Sequence, residues 1–379
     1  MEYNLMLNKL IPSASMKLND IAKKMERSGR NIINLSIGEP EFELEEEIKE
    51  ALFYSVKTSY SHYTNKQGIE ELRERILQWH GIENDYDIEN ILVTPGAKYA
   101  IYILLLSLLN FGDEVIILKP YWVSYVDIVT LCGGKPIIVE CKNDFSVDWD
   151  LLNSKISSKT KAIIINNPNN PSGYILNKEN MIKLYNLCKQ HSIYLIADEI
   201  YSTIVFDEFN SFIEIKEKDC SNVIVINGVS KSLACTGLRI GYIIANNTII
   251  KNVLKIHQHI ATCAGSLEQK ALSMLSKSVY EKISKKYRNI YFERKKFILE
   301  NVNCKSSFNN PKGTFYMLIN IRNKYQDSND ASSYLLENFG IATVPGVAYG
   351  LDDYIRISMA TSYEKLKEFI GIVNKEKLF

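Results

Sequence analysis

The sequence predicts an α/β architecture: a mostly parallel seven-stranded sheet flanked by helices, with a smaller α+β domain beside it. Three observations lead there. Seven short apolar runs recur along the chain, helical stretches separate them, and the character of the chain changes after about residue 276. Runs that are apolar almost without interruption suit strands covered on both faces, as in parallel sheets whose crossover helices pack on either side.

The runs are ILVT (91–94), VIIL (115–118), PIIVE (136–140), AIIIN (162–166), YLIAD (194–198), VIVIN (223–227) and YIIAN (242–246). Stretches such as KYAIYILLLSLL (98–109) and KENMIKLYNLCKQH (178–191) suit the crossovers. The last run follows the sixth too closely for a helical crossover, so it is expected as an antiparallel edge strand. Beyond residue 276, the charged helical stretch YEKISKKYRNIYFERKKFILE (280–300) leads to three strand-like runs, TFYMLINI, IATVP and YIRISMA. The expected division is a large domain over residues 46–275. Residues 1–45 and 276–379 form a small α+β domain that closes over a cleft between the two.

Composition narrows the function classes. The 379 residues are 46% hydrophobic, enough for a large core, and 45 basic residues nearly cancel 44 acidic ones. That balance favours a small-molecule partner over nucleic acid or a membrane surface. The N-terminal stretch lacks an apolar core followed by a small-residue cleavage site, and no run approaches a membrane span, so a cytoplasmic location is expected. The seven cysteines (132, 141, 188, 220, 235, 263 and 304) form no C-x-x-C pair and read as reduced structural thiols. The five histidines are dispersed, and no metal site is expected.

In parallel α/β sheets, ligands bind beyond the carboxyl ends of the strands. There the chain carries PGAKYA, KPYWVSY, NNPNNPSG, DEIY and GVSKS after the first, second, fourth, fifth and sixth runs. Each alone is also explained by a turn, a loop, a cap or a surface charge. Together they fit a phosphorylated, ring-bearing electrophile. Gly96, Ala97 and Lys98 open a helix whose N–H groups and dipole suit a phosphate, and Arg239 has a guanidinium for the same group. Asp198, ending an apolar strand, needs a cation such as a protonated pyridine nitrogen. Trp122 or Tyr121 is available to stack on the ring, and Asn170 and Tyr201 to hold its phenolic oxygen. Lys231 offers an amine for a Schiff base, its pKa lowered by burial and by Arg239.

These motifs, with IPSAS, SIGEPEF, YTNKQGIEELRERI, SKSLACTGLRIGY and YIRISMATS, run along nearly the whole chain. The chain resembles the fold-type I pyridoxal-phosphate enzymes of the class I/II aminotransferases, most of all bacterial aspartate aminotransferases. The resemblance implies pyridoxal 5′-phosphate as cofactor and Lys231 as the Schiff-base lysine that also shuttles the substrate proton. It implies Asp198 on the pyridine nitrogen, Tyr201 and Asn170 on the phenolic oxygen, and Trp122 stacked on the ring. Ala97, Lys98, Ser230 and Arg239 fall at phosphate positions, and Tyr63 where a tyrosine reaches the phosphate of a partner subunit, which implies a homodimer with shared active sites.

Arg356 matches the arginine that grips the substrate α-carboxylate, and Gly38 a glycine whose backbone closes over the substrate. Lys98 and Ser13 match residues that bind the side-chain carboxylate of aspartate or glutamate; a phosphate-only role for Lys98 stays open. Leu238 stands where close relatives often carry Trp. The implied reaction is ping-pong transamination between an amino acid and a 2-oxo acid, with aspartate and 2-oxoglutarate the first choice. Aromatic amino acids or prephenate are the alternative substrates. A carbon–sulfur β-lyase, an aminocyclopropane-carboxylate-type synthase or an amine oxidase on the same scaffold also remains, as does, more remotely, a non-catalytic ligand-binding regulator.

Overall fold

The computed structural model describes residue 10 and residues 14–215 and 222–379. Its strands are β1 (Ile33–Asn34), β2 (Ile91–Thr94), β3 (Glu114–Lys119), β4 (Lys135–Glu140), β5 (Thr160–Asn166), β6 (Tyr194–Asp198), β7 (Val223–Gly228), β8 (Gly241–Ile244), β9 (Tyr316–Asn320), β10 (Ile341–Ala342), β11 (Val344–Pro345) and β12 (Tyr354–Ser358). Seven of them form one sheet in the order β2-β8-β7-β6-β5-β3-β4. All neighbours from β7 through β4 are parallel, so the expected mostly parallel sheet is present.

Alternation within these strands accounts for their continuous hydrophobicity. In β7, Val223 and Val225 enter one core while Ile224 and Ile226 enter the other; in β3, Ile116 and Leu118 face the first and Val115 and Ile117 the second. Successive side chains point to opposite faces of a strand, and here both faces are dry.

One expectation needs correction. The run at 242–246 is antiparallel, as expected, but β8 is not an edge strand: it lies between β7 and β2, antiparallel to both. All four of its residues are buried. The edge falls instead on β2, whose outer backbone groups are satisfied by Gln67. The Gln67 carbonyl accepts from Val93 N (2.9 Å) and its side-chain amide donates to the Ile91 carbonyl (2.9 Å). A side chain thereby stands in for a further strand at the open edge.

The charged stretch near residue 280 is the helix Lys277–Asn301, which buries Tyr280, Ile283, Tyr287, Tyr291 and Ile298 along one stripe. It precedes an antiparallel sheet in the order β11-β12-β9. The N-terminal segment joins this part of the chain through a pairing absent from the sequence-based expectations: β1 runs parallel to β10, Ile33 opposite Ile341. Six cysteines among the described residues are free thiols, and no helix among the described residues is long and apolar enough to cross a membrane.

Two glycines bring the sheet and its first crossover helix together. Gly96 caps the helix Ala97–Leu108 at φ +89°, a conformation that favours glycine. Gly241 opens β8 against that turn, where a Cβ would stand 2.4 Å from the Ala97 nitrogen and 2.5 Å from the Gly96 carbonyl carbon. Gly241→Ala is expected to push the two backbones apart and destabilise the protein by about 1–3 kcal/mol. A lowered urea midpoint checks this; an unchanged midpoint shows that the turn yields freely.

Candidate active site

The carboxyl ends of the parallel strands, together with β12 and the segment after β1, enclose a cavity of about 510 Å³. Lys231, Asp198, Tyr201, Asn170, Trp122 and Arg239 all line it. So do Ala97, Lys98, Ser230, Gly38 and Arg356. Tyr63 is expected at the phosphate of a partner subunit rather than at this cavity; it is 85% exposed and lies off the cavity wall, and Ser13 falls outside the described residues. Of the two candidate stacking rings, Trp122 is on the wall and Tyr121 is not.

Asp198 ends β6, the middle strand of the sheet, and is buried. Burial raises its pKa to about 6, against the opposing effect of two donors: the Tyr125 hydroxyl (2.5 Å) and the Ile200 amide (3.2 Å). No cation forms a salt bridge with it among the described residues.

Lys231 lies in the short helix Val229–Ser232 that follows β7. Its Nζ donates to the Gly38 carbonyl at 2.6 Å and lies 5.7 Å from the centroid of the Phe315 ring. Burial lowers its pKa to about 8; the Glu39 carboxylate opposes this, and Arg356 and Arg239 reinforce it. The amine is therefore partly neutral near physiological pH and available as a nucleophile or base. The expected Arg239 effect is present, but Arg356 exceeds it.

Arg356, from β12, is buried between the rings of Tyr316 and Tyr349, its guanidinium carbon 4.0 and 4.9 Å from their centroids. Nη1 donates to Asn170 Oδ1 (3.1 Å) and Nη2 to the Ser36 carbonyl (3.4 Å), while Nε has no partner among the described residues. A buried guanidinium held only by neutral acceptors retains its capacity for an incoming carboxylate. Asn170 also donates to the Tyr201 hydroxyl (3.4 Å), which lies 3.2 Å from that of Tyr316. Burial raises the Tyr201 pKa well above its ordinary value, so the phenol stays protonated as a donor.

At the other end, the helix Ala97–Leu108 begins with no side-chain cap. Arg239, itself in the left-handed region at φ +54°, places its Nη2 2.6 Å from where a Gly96 Cβ would be. Its Nη1 donates to the Thr236 carbonyl at 2.8 Å. Lys98 sits with its Nζ 4.9 Å from the Trp122 ring centroid; partial burial, then the Arg239 charge, lowers its pKa. An uncapped helix start beside a guanidinium that has no carboxylate partner among the described residues suits a phosphate. A desolvated carboxylate at mid-cavity suits a ring N–H⁺, and a depressed lysine amine suits an aldehyde. The donor set therefore fits pyridoxal 5′-phosphate.

Sequence reasoning missed Tyr125, Tyr316, Tyr349, Asn166, Glu39, Thr236 and Lys23. Asn166 donates to the Asp198 carbonyl (2.9 Å) and accepts from the Asn170 amide (2.7 Å), linking the ends of β5 and β6. Thr236 donates to Glu39 at 2.8 Å. Tyr125, in the helix Ser124–Leu131 that starts two residues after Trp122, had a positional signal; the others reach the cavity only through tertiary packing.

Comparison with known proteins agrees with this arrangement. A family model described as aminotransferase class I and II matches residues 30–373. The chain is 36% identical over 383 residues to a probable aspartate/prephenate aminotransferase of Rickettsia bellii, covering 96% of this chain and 95% of the relative. It is 34% identical over 366 residues to an aspartate aminotransferase of Thermotoga maritima, covering 94% of each. The solved structure of Thermus thermophilus aspartate aminotransferase with maleate superposes at a TM-score of 0.94, with 30% identity and 100% coverage of both chains.

The Asp198 contact carries a signed pH prediction. Its folded pKa of about 6 lies above that of an unfolded aspartate, so the cofactor-free protein holds this proton more tightly and loses stability as pH rises from about 4 through 6. Tyr125→Phe removes a donor that favours the carboxylate, which extends the loss to higher pH by about 1–2 kcal/mol. Urea midpoints measured from pH 4 to 7 should diverge between the two proteins; parallel curves count against the coupling.

Proposed function

The chain belongs to the class I and II aminotransferase family, and on that premise we propose that it transfers an amino group from aspartate to 2-oxoglutarate, with pyridoxal 5′-phosphate held by the cavity residues. One observation carries the reading: a lysine amine with its pKa lowered to about 8, a buried carboxylate and a buried guanidinium lacking a carboxylate partner among the described residues share a single cavity.

When bound, the cofactor supplies an aldehyde that takes up nitrogen and a protonated ring that accepts the electron pair left by a departing α-proton. The protein's residues do the rest. Lys231 would hold the cofactor's aldehyde end and would take the proton from the substrate's α-carbon. Asp198 keeps the ring nitrogen protonated, since a carboxylate desolvated at that position gains most from a cation beside it. Asn170 and Tyr201 donate to the ring's phenolic oxygen, and Trp122 forms the wall against which the ring lies. Ala97, Ser230 and Arg239 take the phosphate, with Lys98 beside them.

Arg356 grips the α-carboxylate. Its sandwich between Tyr316 and Tyr349 restricts the guanidinium's freedom before substrate arrives, so less is lost on binding. Gly38, whose carbonyl already meets Lys231, belongs to a segment that covers the substrate and excludes water. Lys98 and Ser13 are assigned to the substrate's side-chain carboxylate. Relatives named for aspartate, and a neighbour solved with the dicarboxylate maleate, support that choice. The Rickettsia bellii relative's name favours prephenate as the second reading.

The same reading takes residues 46–275 as a large domain and residues 1–45 and 276–379 as a small one that closes over the cavity. It makes the protein a cytoplasmic homodimer in which Tyr63 reaches the partner's phosphate site. Exposed Phe53, Val56 and Tyr63 support an interface at this surface, at 76%, 62% and 85% exposure. Sedimentation at twice the 43.4 kDa chain mass is the expected result; a monomer with full activity overturns the shared site.

For the reaction itself, aspartate with 2-oxoglutarate should yield oxaloacetate and glutamate. Lys231→Ala should lower kcat by about 10²–10⁴-fold and abolish borohydride fixation of the cofactor to the chain. Retained turnover, or release of ammonia without a 2-oxo acid acceptor, overturns the assignment.

A further inference from the structure

Five cationic side chains line the cavity: Lys23, Lys98, Lys231, Arg239 and Arg356. The proposed function uses four of them, and among the described residues only two carboxylates, Glu39 and Asp198, face them from the same walls. Lys23 is the cation left over. No residue of the sequence motifs points to it, and it forms no ion pair or hydrogen bond among the described residues.

Its place is set by the fold. The helix Ala14–Arg27 packs through Ala22, fully buried against Ile32, Leu336 and Ala342, with Met25 partly buried on the same side. Ala22 and Met25, three residues apart, form one stripe of a helix; Lys23 is turned about 100° from Ala22. That rotation carries its side chain off the packed stripe and onto the cavity wall, alongside Asn34, Ser36 and Ile37. Lys98 reaches the same cavity from the helix Ala97–Leu108 on the sheet side. A ligand in the cavity thus has an ammonium on the N-terminal helix and another on the sheet's first crossover helix.

We propose that Lys23 is a specificity-determining residue that binds the acidic group at the far end of the substrate from its α-carboxylate. This rests on the aminotransferase reading above, in which Arg356 holds the α-carboxylate and Lys231 the reacting end. An ammonium without an internal partner gives up no ion pair when the ligand's second carboxylate arrives, whereas a substrate with an apolar side chain leaves it to water. Because Lys23 is exposed, the contribution is moderate, and it acts on discrimination between side chains rather than on the chemical step.

The test uses the cofactor-loaded enzyme and maleate as a non-reacting dicarboxylate probe. Calorimetry should show maleate bound about fivefold more weakly by Lys23→Gln and within about twofold of wild type by Lys23→Arg. The ratio of kcat/KM for aspartate over alanine should fall by about the same factor in Lys23→Gln, through KM rather than kcat. A double-mutant cycle with Lys98→Ala reports whether the two lysines act on one carboxylate.

Equal maleate affinity in wild type and Lys23→Gln overturns the assignment while leaving the parent reading intact. A parallel loss of cofactor affinity places Lys23 on the phosphate and also overturns it. A wild-type enzyme that neither binds maleate nor transfers nitrogen from any donor removes both.

Discussion

A carboxylate stranded in a dry interior is the constraint around which the cavity is built. Asp198 ends the middle strand of a seven-stranded sheet, where burial strips away most of its water; among the described residues no cation forms a salt bridge with it, and the Lys231 charge acts on it only weakly. The hydrogen bonds from Tyr125 and Ile200 lessen the desolvation cost without removing it. A cationic ring nitrogen stabilises such a group more than any neutral ligand does. The position is expensive in the free protein for the same reason that it is effective with cofactor bound.

Around Asp198 the polar groups are tied into a continuous chain. Asn166 links the ends of β5 and β6, its side chain accepts from the Asn170 amide, and Asn170 in turn contacts both Tyr201 and Arg356. Arg356 reaches the Ser36 carbonyl and Lys231 the Gly38 carbonyl. Two cationic side chains of the cavity therefore hold the same short N-terminal segment. Movement of that segment would disturb the contacts of both the Lys231 amine and the Arg356 guanidinium.

The ionisable groups here also reveal a trade between stability and function. Glu199, next to Asp198, is fully buried, and burial lifts its pKa to about 8 despite donors from Ser211 and Phe212. Lys231 is displaced in the opposite sense for a base. Buried groups of this kind are retained at reaction centres because the same desolvation that weakens the fold sharpens their proton affinities. The surrounding tyrosines, 125, 201 and 316, supply hydroxyls without adding charge.

Much of this was legible in the sequence. Hydrophobic periodicity and the residues after each apolar run are local properties, so they located the parallel strands, placed Asp198 and Lys231 at strand ends and singled out Asn170, Arg239 and Arg356. Proximity in space is not local. Tyr316 and Lys23 carry no motif, because what brings them to the cavity is the antiparallel β9–β12 pairing and the packing of Ala22. The position of β8 was misread for a related reason: its direction follows from the short turn after β7, but its second neighbour, β2, is more than 140 residues earlier in the chain. The amino-acid sequence by itself determined the fold class and the chemistry available at the strand ends. Only the tertiary structure decided which side chains meet and how far burial shifts Asp198 and Lys231, because desolvation and pairing depend on neighbours that the chain brings together from distant positions.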